Sequence, residues 1–129
     1  MAEWDYGAEW YHGSPLGDLT RLRPGSAITQ NRDAARAFSH RPSIVSSSAS
    51  GVRHDGKIEA GFLYRVTDRV SPQDVACSQF AGNEDRLEWI IERAVAVALV
   101  ERTRVRPEEL LSESEVEALR RMAQRLKER

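Results

Sequence analysis

The sequence predicts an α+β domain, with mainly antiparallel strands, short helices and an amphipathic C-terminal helix. Three observations lead there. Short β-favouring runs are separated by Gly, Pro and Asn/Asp turn signals rather than by long helical patterns. Residues 87–105 form a long β-rich stretch. Residues 112–128 carry a capped apolar stripe at helical spacing.

Residues 1–9 read as a lead-in to a single domain spanning 1–129. Trp10-Tyr11-His12 is a short aromatic strand, ended by the turn residues Gly13-Ser14-Pro15. Leu16, Leu19 and Leu22 recur every three residues, which suggests a helical turn closed by Pro24-Gly25. Ala27 to Gln30 reads as a second strand. Asn31 is an N-cap and Asp33 suits a first turn, so a short helix runs to about Ser39, stopped by Arg41-Pro42.

Ser46 to Gly51 is small and polar and reads as a loop. Asp55-Gly56 is a hairpin signal of type I′. In the strand that follows, Phe62, Tyr64 and Val66 share one face, and Leu63, Arg65 and Thr67 the other. Residues 71–86 read as loop. Leu87, Trp89 and Ile91 then share a face, followed by Ala94 to Val100. At the C-terminus, Ser112 and Ser114 each have a Glu three residues on, the spacing of a capping box. Val116, Leu119, Met122, Ala123 and Leu126 form the stripe that is expected to pack on the sheet.

Composition excludes several classes. The chain has 129 residues, 40% apolar and 30% charged, with a formal net charge of −1. Neutrality argues against binding nucleic acid by phosphate neutralisation. No apolar run reaches membrane-spanning length, and the acidic N-terminus lacks a signal-peptide pattern, so a cytoplasmic location is expected. Cys77 is alone, and His12, His40 and His54 have no metal-ligand spacing, so no metal is expected. Nucleotide fingerprints and the nucleophile elbow are absent. The basic residues are nearly all Arg, with only Lys57 and Lys127 as exceptions. That skew reads as a GC-rich genome or as a need for planar bidentate donors.

Five motifs then occur in order: Trp10-Tyr11-His12-Gly13-Ser14; Ile28-Thr29-Gln30 with Asp33-Ala34-Ala35; Gly61 to Val66; Phe80-Ala81-Gly82-Asn83; and Arg106 to Leu110 leading to Leu119-Arg120-Arg121. The set resembles the small bacterial ADP-ribosyltransferases that modify rifamycin antibiotics, over roughly residues 10–125. The resemblance implies split antiparallel sheets with NAD, the substrate, bound at the split. It also implies loss of nicotinamide and transfer of ADP-ribose to a nucleophilic acceptor without a metal.

By the same resemblance, His12 meets a ribose hydroxyl. Gly13 gives close backbone approach to the nicotinamide amide, while Tyr11, Ser14, Thr29 and Gln30 line the cofactor cleft. The acidic site falls at Asp74 by family register or at Glu88 by strand geometry. One position departs: Ala27 stands where the family has a Tyr that stacks on nicotinamide. Tyr11, Phe38 and Tyr64 are other sources of a ring, each also readable as core. The acceptor is left open among a rifamycin-type hydroxyl, a protein, a nucleic acid and another small molecule. Two alternatives stay open: an ADP-ribosyltransferase-like binding module, motivated by Ala27, and an NAD-hydrolysing toxin.

Outside the resemblance, Arg102, Arg104 and Arg106 read as a solvated strand face or a contact for an anion or acidic partner. His40 and His54 read as surface residues, and Cys77 as a small packed side chain. Oligomeric state is left open.

Overall fold

A computed structural model describes residues 8–42, 45–48, 51–56, 58–77 and 88–127. Nine strands and two α-helices occur among them. The strands are β1 (Tyr11–Ser14), β2 (Arg21–Leu22), β3 (Ala27–Ile28), β4 (Val45–Ser48), β5 (Gly51–His54), β6 (Ala60–Val66), β7 (Val75–Cys77), β8 (Trp89–Ile91) and β9 (Val95–Arg104). The helices are α1 (Arg32–Phe38) and α2 (Glu113–Lys127), and single 3₁₀ turns cover Pro72–Asp74 and Pro107–Glu109.

All strand pairing within the sheets is antiparallel, and the class is α+β. One sheet has the order β1-β6-β9-β2, a second β3-β8-β7, and β4-β5 form a separate hairpin. Among the described residues the first two sheets meet at a single bridge, Tyr11 with Thr29, closed by backbone hydrogen bonds of 2.7 and 2.9 Å. Their apolar faces share one core. Trp10, Leu22, Tyr64, Val66, Val95 and Val97 come from the first sheet and its flank; Ile28, Val75 and Ile91 come from the second. Trp10 meets Trp89 edge to face at 6.0 Å, the preferred aromatic geometry.

Helix α1 begins as the sequence suggests. The Asn31 side chain accepts from the Ala34 amide at 3.0 Å, and Asp33 lies in the first turn. The helix covers the face of the first sheet opposite the core. Ala34, Ala35 and Ala37 are fully buried there. Their small size lets the helix backbone rest directly on the strands. A Cβ on Gly13 would stand 1.9 Å from the Ala35 carbonyl oxygen, and one on Gly61 would stand 2.6 Å from that of Ser39. These two glycines make room for the helix.

Several expectations need correction. Leu16, Leu19 and Leu22 form no helical turn; Leu22 lies in β2 within the core, while Leu16 is exposed. A three-residue spacing over so short a span does not distinguish a helix from an irregular segment ending in a strand. The Ser-rich segment expected to be a loop contains β4, paired in register with β5. The hairpin therefore turns before Asp55-Gly56, where it was expected. Gly56 has no positive φ, and its amide donates to His54 Nδ1 at 3.0 Å. Within 71–86, the described residues form a 3₁₀ turn and strand β7.

Helix α2 has the expected capping box: Ser112 Oγ accepts from the Glu115 amide, and Glu115 accepts from the Ser112 amide. Its stripe is only partly covered, however, with Val116 and Leu119 half-buried and Met122 54% exposed. The helix is tied instead to the β4-β5 hairpin by the Arg53 guanidinium, which donates to both Glu115 oxygens and to the Leu110 carbonyl. The side chains of Ala123 and Leu126, the residues before Ala8 and the Phe80 to Asn83 motif lie outside the described residues.

Candidate functional site

The two sheets separate just beyond the Tyr11–Thr29 bridge, and His12 is the next residue on β1. It pairs with Tyr64 of β6. Its ring spans toward β3, with Nδ1 2.6 Å from the Ala27 carbonyl oxygen. A carbonyl only accepts, so the Nδ1 proton is fixed there. Burial lowers the His12 pKa from its ordinary value, and the Ala27 bond offsets this only in part. The ring is therefore neutral near pH 7, and Nε2 carries a free lone pair. No described residue hydrogen-bonds to that nitrogen. An acceptor held on a strand at an opening between sheets suits a hydroxyl group.

Register decides which carboxylate lies nearby. Ile28 pairs with Trp89, so one step further brings Thr29 level with Glu88, and Thr29 is already level with Tyr11. Glu88 thus lies two strand spacings from Tyr11, about 10 Å between Cα atoms. Ile28 and Trp89 pack in or against the core. By the pleat, Ala27, Thr29, Glu88 and Ile90 project from the other face. Glu88 therefore shares a face with Thr29, Ala27 and Tyr11, whereas His12, paired with Tyr64 of the core, projects from the opposite face of its strand.

Asp74 lies elsewhere. Val75 pairs with Ile91, and the Asp74 carbonyl accepts from the Glu92 amide at 2.7 Å, at the opposite end of the second sheet. From Tyr11 it is three strands across and about four residues along, on the order of 20 Å. One carboxylate oxygen accepts from the Ser71 amide and hydroxyl at 2.9 and 2.8 Å, and Arg93 Nε stands 3.1 Å from the other. The Ser71 bonds, then Arg93, hold its pKa below the ordinary carboxylate value. Asp74 caps a turn, and the structure does not bring it to His12.

The remaining expected residues cluster around β1 and β3, mostly in structural contacts. Thr29 is fully buried, and its hydroxyl accepts from the Asn31 amide at 3.0 Å. Ser14 Oγ accepts from the Leu16 amide at 3.0 Å, an ST turn. Gln30 donates to the Ala8 carbonyl at 3.4 Å. The space left by the missing Gly13 side chain is filled by α1, so that glycine has a packing reason apart from any ligand. Among the candidate rings, Tyr64 is buried with its hydroxyl donating to the Leu16 carbonyl at 2.6 Å. Tyr11 is half-buried, its hydroxyl donating to Glu9 and the Arg32 guanidinium 5.8 Å from its ring centre.

A second polar cluster was not foreseen. His40 and His54, expected at the surface, are both fully buried and stack at 5.5 Å with planes 16° apart. His40 Nδ1 donates to the Ile58 carbonyl at 2.8 Å. His54 Nδ1 accepts from Gly56, so its Nε2 carries the proton and donates to Glu109 at 3.2 Å. Glu109 also meets the buried Arg36 guanidinium at 3.4 Å and accepts from the Arg106 amide at 3.1 Å. Burial raises the Glu109 pKa, but His54, Arg36 and the Arg106 amide outweigh it and leave it lowered. The partners are 55 and 73 residues apart, and no local sequence signal joins them.

Among the described residues no group of three or more His, Cys, Asp or Glu could hold a metal, and no helix is long and apolar enough to cross a membrane. No protein-family model, no curated protein and no solved structure matches the chain.

Proposed function

We propose that this chain is a mono-ADP-ribosyltransferase that transfers ADP-ribose from NAD to a nucleophilic acceptor, with a rifamycin-type hydroxyl among the candidates. One observation carries the reading. The neutral His12 ring has its Nδ1 proton fixed on the Ala27 carbonyl and its Nε2 lone pair left for a hydroxyl, where two antiparallel sheets separate. A ribose hydroxyl donates to Nε2 in this reading. Of the two candidate carboxylates, Glu88 is the nearer to Tyr11 and is assigned in this reading to the charge developing at the anomeric carbon. The C–N bond to nicotinamide breaks with its electron pair leaving on nicotinamide. A C–O bond to the acceptor forms, and the acceptor hydroxyl releases its proton.

The altered-module alternative rests on Ala27. An alanine offers no ring to stack on nicotinamide, and the Tyr64 ring is locked in the core. Incubation with NAD, with and without rifampicin, separates the readings by nicotinamide release. Release that rises with acceptor and drops about 100-fold or more in His12→Ala supports transfer. NAD binding without release supports the binding module. Release that ignores the acceptor supports hydrolysis. If NAD neither binds nor loses nicotinamide, the reading fails.

A further inference from the structure

We propose that the arginine-lined cleft at the C-terminal end of β9 binds a phosphate or diphosphate group. This inference is independent of the NAD reading, because the cleft lies away from the seam at His12. Its volume is about 440 Å³, and its lining includes Arg36, Arg102, Arg104, Arg106 and Glu101. The cleft runs along a free edge: β2 pairs only with Val95 and Ala96, and no described strand pairs with the later residues of β9 on that side.

The charge there is locally unbalanced. Arg36 faces Glu101 and Glu109, each at 3.4 Å, and Arg32 reaches Glu101 at 3.9 Å. Arg106 lies 3.9 Å from Glu109, and Arg104 lies 3.7 Å from Glu59 in a pair exposed on both sides. Arg102 has no ion pair or hydrogen bond with any described residue. The cleft and its ion pairs thus hold five guanidinium groups (Arg32, Arg36, Arg102, Arg104 and Arg106) against three carboxylates (Glu59, Glu101 and Glu109). An excess of two positive charges in a chain of net charge −1 matches the nearly doubly negative phosphate.

Arg36 is 7% exposed, with its Nε 3.4 Å from Glu101, Nη1 3.4 Å from Glu109 and a donation to the Arg104 carbonyl at 3.3 Å. Its guanidinium is therefore fixed within the protein and leaves Arg102, Arg104 and Arg106 as the exposed groups. Arg102 and Arg104 alternate along β9 and stand on one face of it, opposite Phe62 and Ala60. Guanidinium forks arranged in this way recognise phosphate oxygens in pairs, which a lysine cluster does less well.

Titration calorimetry of the full chain with inorganic phosphate, pyrophosphate and ADP, at constant ionic strength, tests the proposal. Saturable binding of at least one of these is expected. Arg102→Gln and Arg104→Gln should each weaken Kd about tenfold, since a charge-assisted bond contributes that much. Arg102→Lys should weaken it less than Arg102→Gln, and His12→Ala should leave pyrophosphate binding unchanged. Both arginines are exposed, so folding is expected to survive, and thermal unfolding of each variant checks this. Binding that is absent, or unchanged in both Gln variants, overturns the proposal. So does loss of pyrophosphate binding in His12→Ala, which would place the anion in the seam.

Discussion

His12 and His40 are fixed alike and serve differently. Each ring directs Nδ1 at a backbone carbonyl, Ala27 for His12 and Ile58 for His40, and burial lowers the pKa of each. The His40 Nε2 is sealed in with no partner, against the ring of His54. His12 lies where two sheets are joined by one bridge among the described residues, and no described residue hydrogen-bonds to its Nε2. A tautomer lock alone thus says nothing about function. What surrounds the second nitrogen separates a candidate hydroxyl acceptor from a packed ring.

Helix α1 underlies both regions, so the most disruptive change removes the distinction altogether. Gly13→Val places side-chain atoms against the Ala35 carbonyl, and the helix must lift from β1. A loss of about 3 kcal/mol or more is expected in urea unfolding. The seam is sharpened by comparing two carboxylates. Glu88→Gln should lower nicotinamide release about 100-fold. Asp74→Asn should leave turnover near that of the parent and instead lower the unfolding midpoint, because Asp74 caps its own turn.

In the buried cluster, Glu109→Gln leaves Arg36 and His54 with a weaker partner. A cost of about 2 kcal/mol follows, with nicotinamide release per folded molecule unchanged. Acid also acts on this region. The folded pKa of His40 lies below 6.5, chiefly through burial, so the unfolded chain takes up that proton first. Stability should therefore fall as pH drops below about 6.5, and His40→Gln should flatten the slope in unfolding measured from pH 7.5 to 5.5. The smallest effect lies at the cap of α2. Ser112→Ala should cost about 1 kcal/mol, read as faster amide exchange in the first turn. Glu115 is held at about 2 by Arg53 and Ser112, so this contact persists until strongly acidic pH.

Much of the fold was legible locally. Asn31 announced α1, and Ser112 with Glu115 announced α2, because caps are written within three or four residues. The alternation of Phe62, Tyr64 and Val66 marked β6, the strand that joins β1 to β9. The segment at Val45–Ser48 was hidden, since its serines carry little intrinsic strand preference. It becomes a strand by pairing with β5, a tertiary override of composition.

The candidate site divides in the same way. The aromatic-His-Gly-Ser run put His12 on a strand next to a glycine, but the strand continues through Gly13 and Ser14, where a turn was expected, because both pair with β6. Local residue types do not choose between Asp74 and Glu88, because both read as carboxylates beside short strands. Only register shows Glu88 level with Thr29 and Asp74 turned toward Ser71 and Arg93. Nor do they reveal that His54 lies against Glu109 and His40, rather than in water. Caps and alternation depend on neighbours a few residues away. Burial and ion pairing depend on which distant segments meet, and that is decided only when the sheets and α1 pack together.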